Sequence, residues 1–205
     1  MGVSERREVT KQQLAAADIS GQPFSTWAGP VGVALGIEHR VETLGGEADP
    51  ISEATGFFVG NVKASRGETK VTDVFGEVEI PLARDLPWAY SLALNAAVRG
   101  MHYSNSGNVT TWTVGAVYEP IADVRFRTTL SRDIRAPSLT DLFAVGQTVS
   151  GTTVFDPFTN VTLNNSFSLS AGNPRLEPET ADGYSAGVVY FAELHSGLPG
   201  VRRLL

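Results

Sequence analysis

The chain has 205 residues, 42% of them hydrophobic and 19% charged, with a net charge of −6 and no cysteine. The charge argues against nucleic acid as a partner, because no basic stripe is present to neutralise phosphates. The missing cysteines exclude disulfide frameworks, thiolate zinc sites and thiol catalysis. No apolar run approaches the ~18 residues of a membrane-spanning helix, and MGVSERREVTKQQ has charges without the apolar core of a signal peptide.

Period-two alternation runs through the chain, as expected of strands whose successive side chains point to opposite faces. The opening segment REVTKQQLAAADISG alternates weakly and is read as a strand. From Val31, the odd positions Val31, Val33, Leu35, Ile37, His39 and Val41 oppose Gly32, Ala34, Gly36, Glu38, Arg40 and Glu42. In VTDVFGEVEIPL, Val74, Gly76, Val78 and Ile80 oppose Asp73, Phe75, Glu77 and Glu79. A turn at ARDLP leads to WAYSLALNAAVRGMHYS, with Trp88, Tyr90, Leu92, Leu94, Ala96 and Val98 against Ser91, Asn95 and Arg99. After the turn Asn105 to Asn108, Trp112, Val114, Ala116 and Tyr118 oppose Thr111, Thr113 and Glu119. EPIAD reads as a tight turn with Pro120 at its second position. Val124, Phe126, Thr128 and Leu130 then oppose Arg125, Arg127, Ser131 and Asp133, and ETADGYSAGVVYF closes the series.

The pattern predicts six or seven strands, most of 10 to 17 residues, well above the usual globular length of about five or six. Short turns alternate with long connections, from Gly45 to Lys70 and from Arg135 to Pro178, which read as structureless loops. Both a soluble sandwich and an outer-membrane barrel alternate in side-chain polarity. Four features favour the barrel. Short turns at one end and long loops at the other match short periplasmic turns and longer extracellular loops. The strands are long enough to cross a bilayer at a tilt. Aromatics sit near the ends of the apolar faces, at Trp88, Tyr90, Trp112, Tyr118, Tyr184 and Tyr190. The opposite faces carry Glu38, Arg40, Glu77, Glu79, Asn95, Arg99, Arg125 and Arg127, too many polar and charged groups for a dry core and natural for a wet lumen. A soluble β-rich binding module of lectin or adhesin type is the rival reading, with those charges as its solvated face.

LSRDIRAPSLTDLF (130–143), AGNPRLEPETADGYSAGVVY (171–190), AGPVGVALGIEHR (28–40) and FGEVEIPL with the strand after it resemble the barrel of TonB-dependent outer-membrane receptors. The resemblance covers about residues 10 to 190. It implies an all-β fold, here an antiparallel up-and-down transmembrane β-barrel segment of about six or seven strands from a barrel of 22. It also implies a separate plug domain, coupling to TonB, outer-membrane lipid around the barrel, and a small solute as ligand. No cofactor is implied. The chain lacks a signal peptide, a TonB-binding segment and a plug, so the expectation is a fragment. Residues 1–191 form the partial barrel, and 192–205 an irregular tail of a truncated or frame-shifted reading. A passive or structural barrel remains the alternative within the membrane class.

The family motifs have local physical readings. Arg135 leads to Pro137, which is read as ending the strand because it cannot donate to a ladder. Ser138 and Asp141 fit a helix-start pattern, with Leu139, Leu142 and Phe143 on one face. Gly172 is read as supplying freedom of backbone sign, and Asn173 before Pro174 as extended. Leu176, Pro178 and Glu179 complete the descent into the last strand, where parity puts Glu179 on the lumen side and Asp182 on the lipid side. The eight lumen-facing residues are candidates to contact plug or ligand. Lys63, Arg66, Lys70, Phe57 and Phe58 on the first loop, and Phe155 and Phe158 on the second, are candidates to meet the solute. Catalytic signals are absent: His39, His102 and His195 lack metal-ligand spacing, and no nucleophile-elbow or phosphate-loop motif occurs.

Overall fold

A computed structural model describes residues 2–57 and 60–191 of the chain. Phe58 and the tail at 192–205, with His195, lie outside the described residues. Among those described, nine strands and two short helices follow in the order β1 (Arg6–Thr26), β2 (Gly29–Ala48), α1 (Pro50–Glu53), β3 (Arg66–Leu86), β4 (Ala89–Tyr103), β5 (Gly107–Ile121), β6 (Val124–Arg135), α2 (Leu139–Phe143), β7 (Gln147–Asp156), β8 (Val161–Ser170) and β9 (Glu179–Tyr190).

Seven strands form one antiparallel up-and-down sheet, ordered β1-β2-β3-β4-β5-β6-β9, and β7 pairs only with β8. The strands are long, 12 to 21 residues in the main sheet. Among the described residues no helix is long and apolar enough to cross a membrane, a fact that carries no weight for strands. β1 and β9 each pair with one neighbour, so the described sheet stays open.

Three tight connections lie at one end. The strand pairs close at Thr26↔Gly29, Leu86↔Ala89 and Ile121↔Val124, leaving two residues in each turn. Each strand leading into such a turn carries a register shift with a proline in or beside it: Gly21/Phe24 around Pro23, Pro81/Ala83, and Tyr118/Ile121 around Pro120. Proline cannot donate to the ladder, and a bulge is where that loss is tolerated. The sequence reading ended the first segment at Gly21 and placed a tight turn at Glu119 to Asp123; pairing continues past both points, so Pro120 sits in a bulge of β5 and the turn is residues 122–123.

The far end also differs from the reading. β2 and β3 pair up to Gly45↔Arg66, so the first loop shrinks to residues 49–65. Arg66 and Lys70 therefore belong to β3 and leave the loop. The second connection is not structureless: it holds α2 and the β7–β8 hairpin.

Burial places the core. Leu44, Val71 and Tyr103, all on one face of the sheet at this far end, are buried with Leu139 and Leu142 of α2. The broad apolar face on the other side has no layer over it: Leu35, Val74, Val98, Leu130 and Tyr184 are exposed, Tyr184 at 88%. A soluble sandwich would bury that face against a second sheet.

Candidate functional site

The register decides which residues share a face, because directly opposed residues in an antiparallel pair point the same way. Glu38 stands opposite Asp73 and Arg40 opposite Val71. Glu77 lies between Ala34 and Ala97, and Glu79 between Gly32 and Asn95. Arg99 lies between Phe75 and Thr111, and Asn95 faces Gly115. Arg127 lies between Val117 and Gly187. Arg125, two residues before Arg127, pairs with Glu119 on the same side. All eight residues read from the sequence as lumen-facing thus share one side of the sheet.

They fall into two groups. The first is tied down within the wall. Arg40 lies 3.6 Å from Glu38 and 3.2 Å from Glu42. Arg99 lies 3.6 Å from the buried Asp73 and stacks its guanidinium 4.8 Å from the Phe75 ring centre. Arg125 is paired to Glu119, which also accepts from Ser91 Oγ at 2.8 Å, and covers the Phe191 ring at 5.3 Å. The second group is open. Among the described residues, Glu77, Glu79, Asn95 and Arg127 make no ion pair or hydrogen bond through their side chains. Glu77, Glu79 and Asn95 border a recess of about 830 Å³ whose other walls include Gly32, Ala34 and Ala97. Ala34 and Ala97 beside Glu77, and Gly32 beside Glu79, leave both carboxylates standing clear of the wall.

Above this recess two loop segments fold onto the same face. Ser138 caps α2 through a reciprocal pair: the Asp141 amide donates to Ser138 Oγ at 3.1 Å, and the Ser138 amide donates to Asp141 Oδ2 at 2.9 Å. Those bonds hold the Asp141 carboxyl below the usual carboxylate range. Leu142 is 1% exposed, and the Phe143 ring lies where a side chain at Gly67 would stand. In the other loop, Asp49 caps α1 by accepting from the amides of Ile51 and Ser52 at 3.1 and 2.9 Å. A Cβ at Gly46 would meet the Ser65 carbonyl at 2.7 Å, so glycine is what lets this loop lie against β2. Val145 N donates to Ser65 Oγ at 3.3 Å, which joins the two loops.

The stretch 172–179 closes the site. The amides of Gly172 and Asn173 donate to the carbonyls of Ala144 and Asp141, both at 2.8 Å. The need for glycine at 172 differs from the expectation: no positive φ occurs there, and a Cβ would stand 2.6 Å from the Ala144 nitrogen. Asn173 Oδ1 accepts from the Arg175 amide at 3.0 Å, and Ser106 Oγ donates to the Leu176 carbonyl at 3.0 Å. β9 begins at Glu179, directly after Pro178, with Glu179 opposite Arg135 on the polar side at 3.4 Å. Asp182 falls on the apolar side, as parity predicts, where Arg132 meets it with two hydrogen bonds of 2.7 and 2.8 Å. That partner was not visible in the alternation, because Arg132 is itself an exception to it.

On the apolar side, Trp88, Tyr90, Tyr118, Phe126 and Tyr190 gather near the tight turns, with Tyr118 Oη donating to the Trp88 carbonyl at 2.5 Å. No group of three metal-ligating side chains occurs among the described residues. The loop residues assigned to solute do not converge: Lys63 donates to Glu53 and Thr55 within its own loop, and Phe158 is 97% exposed on the separate hairpin.

The model of the TonB dependent receptor-like β-barrel matches residues 6–197. The chain belongs to this family. Among solved structures, the barrel segment is similar to the siderophore receptor PirA from Acinetobacter baumannii, with a TM-score of 0.61 and 15% identity over 92% of this chain and 26% of that one. It is also similar to a mutant ferric enterobactin receptor, PfeA, from Pseudomonas aeruginosa in complex with enterobactin, with a TM-score of 0.68 and 17% identity over 91% of this chain and 25% of that one. At these identities the likeness concerns the fold. The receptor segment spans about a quarter of the solved chains it matches. No curated protein sequence matches it.

Proposed function

We propose that the chain forms one wall of an outer-membrane receptor that binds a scarce solute of siderophore, vitamin or glycan type and imports it with TonB-coupled energy. The observation that carries this reading is the sheet's division into an uncovered apolar face, ending in aromatics, and a polar face with charged side chains. Membership of the receptor family and similarity to proteins named as a siderophore receptor and a ferric enterobactin receptor support it. No covalent chemistry is assigned to it. Closure requires further strands, because an open edge in lipid leaves backbone groups unpaired at several kcal/mol each.

The lumen face then has two duties. The paired group of Glu38, Arg40, Arg99 and Arg125 stiffens the wall. The open group of Glu77, Glu79 and Asn95 receives cationic or amide groups of a plug domain filling the lumen, with Arg127 available to an acidic one. Leu142, Phe143, Gly172, Asn173 and Pro174 hold the loop that overhangs this face. Uptake tests the reading. In the barrel that contains this chain, solute-dependent growth should require TonB, and Glu77→Gln with Glu79→Gln should make the lumen leaky to large antibiotics while the barrel still assembles. Uptake independent of TonB with an unchanged lumen would point to a passive barrel.

A further inference from the structure

Strand pairs in this sheet are joined in different ways. β1/β2, β3/β4 and β5/β6 close in two-residue turns, and each of these ladders carries a register shift. β2/β3 and β6/β9 are joined by residues 49–65 and 136–178, yet their ladders run without a shift. A two-residue turn fixes the register of the strands it joins. A long connection does not, because its closure costs nearly the same at neighbouring lengths. Alternation limits the error without removing it. A slip by one residue turns every side chain to the wrong face. A slip by two keeps both faces and displaces one strand by about 7 Å.

On the two long-loop pairs, side chains lie over directly opposed glycines. The Phe75 ring of β3 occupies the place that a Cβ at Gly36 of β2 would take, with the Arg99 guanidinium on the ring. One residue along, on the apolar face, Leu35 Cδ2 stands 3.2 Å from the Cβ position of Gly76. Between β6 and β9, Arg127 Nε lies 3.2 Å from the Cβ position of Gly187, and Ser131 Oγ lies 3.2 Å from that of Gly183. Gly21 and Gly100, opposed to Val33 and Val74 in tight-turn pairs, have nothing within 4 Å. Asp18 does come within 3.2 Å of the Gly36 position from β1, but through its Cβ, not the body of its side chain.

A slip by two would set Phe75 over Ala34 or Glu38, and Leu35 against Val74 or Val78. It would set Arg127 against Ser185 or Val189. Each of these residues has a Cβ where the glycine leaves room. We infer that these side-chain-on-glycine joints set the register of the strand pairs joined by long loops, with Phe75 on Gly36 as the joint between β2 and β3. Alternation excludes the odd slips and the joints exclude the even ones. The wall is thereby positioned independently of its loops. A slip of β2 past β3 would carry Gly32 and Ala34 away from Glu79 and Glu77 and remake the lumen recess that these residues border.

The test uses the complete barrel containing this chain, freshly assembled into lipid vesicles, with cysteine pairs on the outward face of β2 and β3. Ile37→Cys with Val74→Cys links the native register, in which directly opposed Cβ atoms lie within disulfide reach. His39→Cys with Val74→Cys links the slip that puts Phe75 over Glu38, and Ile37→Cys with Thr72→Cys links the opposite slip. With Phe75 in place, only the native pair should link in high yield. Phe75→Ala removes the ring without adding bulk, and Gly36→Ala with Phe75→Ala makes an ordinary alanine pair. Both should lower the native yield by at least roughly twofold and bring up a slipped link. Gly100→Ala, at a glycine with no such joint, should leave the native yield unchanged. Linking at the native pair alone in both Phe75 variants, or an equal loss in Gly100→Ala, overturns the inference.

Discussion

At Gly172 the chain passes so close to the end of α2 that a single methyl group has nowhere to go. Its Cβ would stand 2.8 Å from the Leu142 carbonyl oxygen, and backbone cannot move aside as a flexible side chain can. Gly172→Ala should therefore loosen the loop from the sheet at a cost of about 1–3 kcal/mol. Hydrogen exchange at the Gly172 and Asn173 amides reads that change. Gly100→Ala, with nothing within 4 Å of its Cβ, should leave both amides protected. The capping carboxylates add a pH dependence. Hydrogen bonds hold Asp141 and Asp49 below their ordinary values, led by the Ser138 amide and the Ser52 hydroxyl respectively. A lowered folded-state pKa contributes stability in full above the unfolded aspartate value of about 3.9, and that stability is lost as pH falls through the lowered one. Amide protection across α1 and α2 should hold at neutral pH and decline in that acid range, and Asp141→Asn should remove the part of the decline seen at α2. The sequence revealed the cap through its Ser-x-x-Asp spacing. It did not reveal why residue 172 is glycine, because the crowding comes from a helix thirty residues earlier in the chain.

At the scale of the strands, alternation was legible wherever the ladder was regular and misled wherever it was not. Parity assigned both faces of β4 and the upper parts of β3 and β5 because the pairing there has no shift. Past the proline bulges parity reverses. Ile121 is odd-numbered like Glu119, yet it pairs with Val124 on the apolar side, and Arg84 is even-numbered yet pairs with Ser91 on the polar side. A proline in or beside each bulge was its visible trace, but its consequence depends on how the partner strand pairs. The loop boundaries failed for a different reason. Gly45, Gly46 and Gly67 look like turn residues, whereas here they lie in paired strands, and Gly46 and Gly67 make room for packed loops. The two faces also make opposite predictions for one substitution. Val114→Arg puts a charge amid Ala96 and Leu130 on the apolar face and should cost about 2–4 kcal/mol of barrel stability in lipid. Thr113→Arg, one residue away, points to the lumen and should cost far less. Urea unfolding in lipid vesicles compares them.

For the whole molecule, the open sheet, the uncovered apolar face and the closing loops describe a barrel wall rather than a self-contained globule. Leu35, Val74, Val98 and Leu130 are each about half exposed on the same face of the sheet, and water is a poor solvent for so continuous a patch. The sequence disclosed this architecture because strand length, aromatic ends and face chemistry agree with one another. It could not disclose which lumen charges are open, since Glu77 and Glu38 look alike in the chain and differ only in whether an arginine stands within reach.

The central claim is that one face of this sheet meets lipid and the other a wet lumen. Single cysteines placed in turn at residues 111 to 118 of the complete barrel, labelled with a fluorophore and exposed to brominated lipid or to an aqueous quencher, test it most directly. The account predicts lipid quenching at Trp112, Val114, Ala116 and Tyr118 and aqueous quenching at Thr111, Thr113, Gly115 and Val117. Aqueous quenching at every position, or the opposite phase, would contradict it.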